Sequence, residues 1–477
     1  MSLKRNFIYN LLYQFITITL PIITVPYVSR VLGPNGVGIY SYTLSYAQYF
    51  VLFGMMGINL YGNRQIAYNK HNKEKVSKEF WNIYKLQFFT GTLAFVVYII
   101  IFVIINNQNR LLYLVQSIII FTTIFDISWF FIGFEEMQSI VIRNTIVKLF
   151  GAISIFILIR KPSDVIKYAF ILAISNFFGQ IIMWINIKDK ICKYRTNIKE
   201  ALKHFRPVLV LFISQLAIQI YTLLDKTMLG FMTGVYEVGL YENSQKTIKI
   251  ALTLITSLGV VMLPRMSILY SKGKKDEFKN LIYKAFSFVN FMAFPMILGI
   301  IAISNTFSIW FYGEEFNGIG SLLKLGSLLM IFIGWSNILG IQVMIPMKKE
   351  KQFTVSVTIG AIVNFILNLF LINQFQANGT TVASVLAEFV VTSVQIYFLR
   401  DLINLKTILK STIKPLIGGI IMFLVLIFII PMFKVGVLWT LIEVTIGGAI
   451  YLIVMYILKD QFLEEVFNIV KIKFIKR

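Results

Sequence analysis

The sequence predicts an all-α integral membrane protein of about fourteen transmembrane helices, arranged as two six-helix lobes with two further C-terminal helices. Composition is the first of three observations that predict this fold, because 57% of the 477 residues are hydrophobic and 14% are charged. Soluble domains hold roughly 45–50% apolar residues even when glycine is counted. A soluble protein of this composition would expose large apolar patches, and a disordered chain would be richer in charge.

Long apolar stretches are the second observation. A helix needs about 20 residues to cross hydrocarbon that is about 30 Å thick, and fourteen stretches of the sequence reach that length. These spans cover residues 8–29, 38–61, 81–105, 111–133, 139–159, 166–187, 208–230, 239–263, 286–308, 321–345, 353–373, 379–399, 413–432 and 437–458.

An internal repeat is the third observation. LGPNGVGIY (Leu32–Tyr40) follows span 1, and TGVYEVGLY (Thr233–Tyr241) follows span 7. A second match relates GAISIFIL in span 5 to GAIVNFIL in span 11. Both matches pair a span with the one six places later in the same orientation, which is typical of parallel repeats around an axis along the membrane normal. We therefore predict an N-terminal lobe over 1–200, a C-terminal lobe over 201–405, and spans 13 and 14 with a cytoplasmic tail over 406–477.

The net charge of +23 indicates membrane topology rather than a nucleic-acid partner. Cytoplasmic loops of membrane proteins carry an excess of Lys and Arg, and most of the basic residues fall in alternate connecting segments. This asymmetry predicts that both termini are cytoplasmic. The opposite, outer side receives only six basic residues, namely Arg30, Arg110, Arg160, Lys161, Lys167 and Lys434.

The sequence carries no recognisable catalytic motif. It has no Walker A loop, no dinucleotide-binding glycine fingerprint and no H-E-x-x-H. Cys192 is the only cysteine, and His71 and His204 lie far apart in polar segments. We therefore predict that the protein is not an enzyme and has no metal site or cofactor.

Charged residues inside the spans are the most informative side chains. A charge at mid-membrane costs about 2.5–3.5 kcal/mol on insertion scales, so it faces a cavity or a partner. Cations outnumber acids there, and an excess of buried positive charge indicates an anionic substrate. The cations are Lys85, Arg143, Lys148, Lys226, Lys246, Lys249 and Lys324. The acids are Asp126, Asp225, Glu388 and Glu443, and for each of them a structural ion pair is an alternative to a functional role.

Three motifs identify a resemblance that covers essentially the whole chain. They are Arg30 with LGPNGVGIYSY (Leu32–Tyr42), FYGEEF (Phe311–Phe316), and VNFILNLFLI followed by NGTTVAS (Val363–Ser384). On these residues the chain resembles the Wzx-type polysaccharide repeat-unit flippases of the multidrug/oligosaccharidyl-lipid/polysaccharide exporter superfamily. NQFQANG at 373–379 departs from the Pro-x-Tyr-Gly turn that relatives often have.

The resemblance implies a MATE-like fold and translocation of undecaprenyl-diphosphate-linked oligosaccharide to the outer leaflet of a bacterial plasma membrane by alternating access. Relatives line their cavity with cations, so the candidates for contact with the diphosphate or with acidic sugars are Arg30, Arg143, Lys148, Lys246 and Lys249. Arg64 and Arg265, which the repeat pairs at cytoplasmic span ends, are candidates for a clamp on that side, with positive-inside anchoring as the alternative. The candidates for proton or sodium coupling are Asp126, Asp225 and Glu388.

Other functions stay open at this point. A flippase for lipid II or for a teichoic-acid-type precursor would use the same fold, and so would a multidrug/cation antiporter, although its cavity would be more acidic. A membrane scaffold would need no cationic cavity. Richness in Ile, Lys and Asn is typical of a low-GC bacterium and favours capsular or exopolysaccharide over O-antigen. The implied partners are the lipid-linked substrate, membrane lipids, and a polysaccharide polymerase with other assembly proteins.

Overall fold

The computed structural model describes residues 3–106, 108–465 and 467, and the regular structure of those residues is helical throughout. The prediction of an all-α membrane protein is therefore confirmed. The predicted cytoplasmic tail beyond residue 467 and the first two residues lie outside the described part of the chain. By packing, the chain divides into two compact units, Met1–Gly239 and Leu240–Arg477.

Sixteen α-helices make up the described chain. The first unit contains α1 (Leu3–Met55), α2 (Ile58–Asn69), α3 (Lys73–Tyr98), α4 (Arg110–Ile124), α5 (Ser128–Gly133), α6 (Met137–Leu158), α7 (Val165–Asn186), α8 (Ile198–Lys203) and α9 (Phe205–Thr233). Helix α10 (Val235–Ser271) begins at the end of this unit and continues into the second. The second unit also contains α11 (Lys275–Tyr312), α12 (Ile319–Ser327), α13 (Leu329–Ser336), α14 (Glu350–Phe398), α15 (Leu405–Ile429) and α16 (Val437–Ile457). Short π-helical turns extend α3 to Ile105 and α13 to Met344.

The helices match the predicted spans. Among the described residues, ten segments are long and apolar enough to cross a membrane. Of the other predicted spans, span 1 lies on α1, span 7 lies on α9, and span 2 runs from α1 into α2. Helix α1 contains a kink at Gly33 (φ 65°, ψ 176°) and α14 a kink at Gln376 (φ 53°, ψ −131°), so each of them holds two spans. Span 2 is interrupted at Gly57 and span 4 at the break between α4 and α5, and the count of fourteen crossings stays a prediction.

Helix α9 packs against α1 and α2 in the first unit. The sequence instead assigned this span to the C-terminal lobe, with the boundary after residue 200. That division rests on the repeat, which shows which segments are related in sequence. Packing shows instead which segments contact each other, so it does not test the division, which stays a prediction.

Ion pairs in the first unit join three segments that the sequence placed on one side of the membrane. Lys70 pairs with Glu135 at 3.2 Å, and Lys190 pairs with Glu136 at 2.5 Å. These contacts bring together the end of α2, the turn before α6 and the segment after α7. The opposite end is joined by the Tyr27 hydroxyl, which donates to the Ile159 carbonyl at 2.6 Å.

The second unit shows the same alternation of its connecting segments. At one end, Lys284 pairs with Glu465 at 2.9 Å and the Asn404 amide donates to the Tyr283 hydroxyl at 2.9 Å. At the other end, Trp310 Nε1 donates to Thr440 Oγ1 at 2.8 Å. The predicted order of crossings is consistent with both sets of contacts.

The two copies of the repeat meet at their glycines. A Cβ atom on Gly38 would lie 1.7 Å from the Val235 carbonyl oxygen, and a Cβ atom on Gly239 would lie 2.0 Å from the Pro34 carbonyl oxygen. The contact is reciprocal. Gly38 faces Val235 and Gly239 faces Pro34, and the repeat pairs Gly38 with Gly239 and Pro34 with Val235. The backbone before each glycine is also alike, since Gly234 (φ 99°, ψ 174°) has nearly the conformation of Gly33. Only glycine permits backbones to approach this closely.

We expect Gly38→Ala and Gly239→Ala each to lower the free energy of unfolding by about 1–3 kcal/mol, the usual effect of overpacking. The new methyl group meets a backbone carbonyl, which cannot move aside as a side chain would. Thermal unfolding of the detergent-solubilised protein measures this. Gly448→Ala is the matched control, because nothing lies within 4 Å of its Cβ position. Unfolding temperatures equal to the control's would show that the glycine contact is dispensable.

Candidate functional site

Arg143 on α6 is held in a polar network within the first unit. Its Nη1 donates to Ser128 Oγ and to Gln180 Oε1, both at 2.9 Å, and its Nη2 donates to Asn144 Oδ1 at 2.7 Å. The Ser128 hydroxyl in turn donates to Asp126 Oδ1 at 2.5 Å. One hydroxyl therefore links two residues that the sequence had placed in separate roles, a cavity cation and a coupling acid.

The other predicted cavity cations differ in their exposure. Lys246 on α10 forms an ion pair with Glu242 one turn earlier, with Nζ and Oε1 3.3 Å apart. Lys249 on the same helix and Arg30 on α1 are exposed, and Lys148 on α6 is half-buried. Lys246 therefore pairs with a carboxylate, and Lys249, one turn further on, is an exposed residue within an apolar span.

The three coupling candidates are also placed differently. Asp225 on α9 is 2% exposed and Glu388 on α14 is 7% exposed, so both carboxyl groups are buried in the helix bundle. Asp126 is half-buried at the break between α4 and α5 and already accepts the Ser128 amide at 2.9 Å. A fourth acid, Glu443 on α16, is 2% exposed, and its Oε2 has no hydrogen-bond partner among the described residues. The sequence identified Glu443 as deep but did not assign it a coupling role.

A row of tyrosines follows the second half of α1. Tyr42, Tyr46 and Tyr49 are spaced four and three residues apart, which places them on one face of a helix. The hydroxyls of Tyr42 and Tyr46 are 2.8 Å apart, and the Tyr49 hydroxyl lies 3.3 Å from Thr227 Oγ1 on α9. All three tyrosines are half-buried. Aromatic faces with hydroxyl groups at their edges can stack against sugar rings and hydrogen-bond to them.

Arg64 lies in a cavity of about 450 Å³ between α2 and α9. The cavity brings Arg64 together with Arg206, which the sequence analysis did not single out. Arg265, the predicted clamp partner of Arg64, is exposed on α10 in the second unit. The clamp therefore stays a prediction. The sequence indicates one wall of this cavity through the spacing of four residues, which places them on one face of a helix: Tyr61, Arg64, Gln65 and Tyr68.

Two family models match the sequence, and each covers more than half of the chain. The model described as "Polysaccharide biosynthesis protein" matches residues 3–270, and the model described as "Lipid II flippase MurJ" matches residues 138–458.

A relative and two solved structures extend the comparison. The "Putative O-antigen transporter" of Escherichia coli (strain K12) is 27% identical over 411 residues, which cover 84% of this chain and 97% of that protein. A structure of lipid II flippase MurJ in an inward closed conformation has a TM-score of 0.74 at 17% identity, covering 95% of this chain and 98% of that one. An inward-facing MATE family multidrug transporter has a TM-score of 0.63 at 13% identity, covering 83% and 97%. The predicted MATE-like fold is confirmed.

We expect Arg143→Ala to lower the free energy of unfolding by about 2 kcal/mol, because it removes charge-assisted hydrogen bonds from a half-buried network. Arg143→Lys keeps the charge but lacks the planar donor fork, so its free energy of unfolding should lie between those of the wild type and Arg143→Ala. Thermal unfolding measures the effect, with the exposed Arg110→Ala as control. If Arg143→Ala unfolds like the wild type but loses transport, Arg143 is a substrate contact and its network is not structural.

Proposed function

Because the chain belongs to the polysaccharide biosynthesis protein family, as a Wzx-type flippase of lipid-linked oligosaccharides, we propose that its substrate is an oligosaccharide repeat unit on undecaprenyl diphosphate. The protein carries this unit from the cytoplasmic to the outer leaflet of a bacterial plasma membrane, with both termini in the cytoplasm. The product serves the synthesis of a capsular or extracellular polysaccharide, and a polymerase and other assembly proteins are its partners on the outer side.

The observation that carries this proposal is positive charge exposed within apolar spans. Lys249 and Arg30 are exposed and Lys148 is half-buried, yet each lies in or at the edge of a span that hydrocarbon surrounds. Exposure to lipid would cost several kcal/mol per charge, which supports the proposal that these side chains line a polar path through the membrane. A diphosphate is the anion that such a path attracts, and lysine binds phosphate as a point charge without fixed geometry.

The lysines do not need to hold the diphosphate tightly. Alternating access requires two states whose balance shifts when the ligand binds, and a ligand held equally well in both states shifts nothing. Flexible lysine stems can follow a headgroup between an inward-facing and an outward-facing site. The tyrosine row of α1 offers stacking faces and hydroxyls for the sugars, which are too polar to cross hydrocarbon by themselves.

Coupling to an ion gradient rests on the buried acids. Glu388 and Asp225 are almost fully buried within spans, and acids inside transmembrane helices commonly belong to ion pathways or proton relays. Asp126 is the weaker candidate, because Ser128 already donates two hydrogen bonds to it.

One alternative has specific support. The MurJ family model matches residues 138–458, and the MurJ structure covers 95% of this chain. A lipid II or teichoic-acid-type precursor also carries a diphosphate or phosphate on a polyprenyl chain, so the same cations would serve it. A multidrug/cation antiporter is less favoured, since exposed cations repel a cationic substrate. A flipping assay that compares lipid II with an undecaprenyl-diphosphate oligosaccharide in proteoliposomes separates the first two substrates.

We expect Lys148→Ala and Lys249→Ala each to slow flipping about fivefold, because loss of one charge at reduced dielectric costs about 1 kcal/mol or more. Arginine at either position should retain more activity. The rate at which a fluorescent lipid-linked oligosaccharide becomes accessible to an external quencher measures the effect. Lys279→Ala, which removes an exposed lysine outside the spans, is the control. Wild-type rates in both alanine variants would remove the lysines from the substrate path.

A further inference from the structure

The cavity between α2 and α9 is formed by one face of each helix. Arg64, Gln65 and Tyr68 follow Tyr61 by three, four and seven residues, so all four share one face of α2. The first turns of α9 supply the opposite wall. The cavity is open to solvent and has a volume of about 450 Å³, which is within the range of small-ligand sites.

Close packing at two glycines fixes the position of α2. Gly57, which precedes the helix at φ 78°, lies so near α9 that a Cβ atom there would be 2.9 Å from the Phe212 nitrogen. On the far side of α2, a Cβ atom on Gly62 would lie 2.5 Å from the Trp129 ring. The helix that forms one wall of the cavity is therefore closely packed against its neighbours at both glycines.

The charge of the cavity is not balanced by its own walls. Arg64 and Arg206 both contribute to its lining and both are exposed. The lining residues, all within the described part of the chain, include no Asp or Glu. Neither guanidinium forms an ion pair or hydrogen bond with any described residue. Two like charges that share one cavity repel each other, so an anion between them would relieve an unfavourable interaction.

A histidine behind the cavity adds no charge. His204 Nδ1 lies 2.8 Å from the Tyr61 hydroxyl, and burial lowers the pKa of His204. The ring is therefore neutral at neutral pH and orients Tyr61. Its Nε2 lies 3.8 Å from Glu79, which stands behind the histidine and outside the cavity lining.

The rim of the cavity is apolar on the side of α9. Val210 is 60% exposed, and Leu211 lines the cavity beside it. Both follow Arg206 by one turn, at the start of a span that the sequence predicts to enter the membrane. Guanidinium groups next to exposed aliphatic side chains match a ligand that has an anionic head and a hydrocarbon tail.

We propose that Arg64 and Arg206 form a binding site for the phosphate or diphosphate headgroup of a membrane lipid at the inner-leaflet end of the first unit. Two planar guanidinium forks give bidentate contacts to phosphate oxygens, Tyr68 closes the solvent side, and Val210 and Leu211 contact the first carbons of the tail. The lipid is either the polyprenyl diphosphate of the substrate, an assignment that rests on the proposed function, or an anionic phospholipid of the surrounding leaflet.

Titration of the full-length protein in phosphatidylcholine nanodiscs tests the site, with bound lipid counted by native mass spectrometry. The probes are undecaprenyl diphosphate and phosphatidylglycerol. We expect Arg64→Ala/Arg206→Ala to weaken binding of the preferred probe roughly tenfold or more, as loss of charge-assisted contacts does. The lysine pair Arg64→Lys/Arg206→Lys should recover part of the loss. The charge-matched control is Arg195→Ala/Arg400→Ala, which removes two exposed arginines outside this cavity and should bind like the wild type.

The outcomes separate the two lipid sources and allow rejection. A preference for undecaprenyl diphosphate identifies the substrate headgroup, and an equal or stronger dependence for phosphatidylglycerol identifies the bulk lipid. Wild-type affinity for both probes in the double alanine variant, or an equal loss in the control, overturns the site. If the double variant does not fold, Arg206→Gln alone must still weaken binding. Because binding is measured without transport, a protein that binds but never flips refutes the proposed function and leaves this site intact.

Discussion

The cost of charge in hydrocarbon governs the arrangement of this protein. A helix can satisfy its own backbone polar groups in a membrane, but a lysine or a carboxylate within a span needs water or a partner. The structure shows both solutions. Arg143 and Asp126 share a network of neutral hydrogen-bonding groups, whereas Lys249 remains exposed within a long apolar helix. The first arrangement joins helices through polar contacts, and the second keeps a lysine exposed on a helix that is otherwise apolar.

Glycine provides the complementary constraint, because helices in a membrane associate through close packing and not through the hydrophobic effect. Gly38 and Gly239 bring two copies of one sequence repeat into backbone contact. Gly57 and Gly62 hold α2 between α9 and Trp129. At Gly57 the absence of a side chain allows the start of α2 to lie close to α9, and these two helices form the walls of the cavity that contains Arg64.

The cations fall into two groups, and under the proposed function each group would serve a different step of lipid transport. Lys148 and Lys249 lie well inside their spans, where a headgroup must pass during a crossing. Arg64 lies in the middle of α2 and Arg206 at the start of α9, where, under the proposed function, a headgroup of the inner leaflet would first meet the protein. Lysine suits the first position because a mobile point charge can follow its ligand, and arginine suits the second because a planar fork holds phosphate in a fixed orientation.

The sequence by itself determined the all-helical membrane class and the family, because each depends on local hydrophobicity or on short motifs, whereas the count of fourteen crossings and the side on which each loop lies stay predictions. It also identified Arg64, but as the partner of Arg265, since a repeat relates residues by register and not by distance. Only the tertiary structure placed Arg206 opposite Arg64 and joined Arg143 to Asp126 through Ser128. These neighbours are far apart along the chain, and which residues meet depends on how closely the helices pack, which no local pattern encodes.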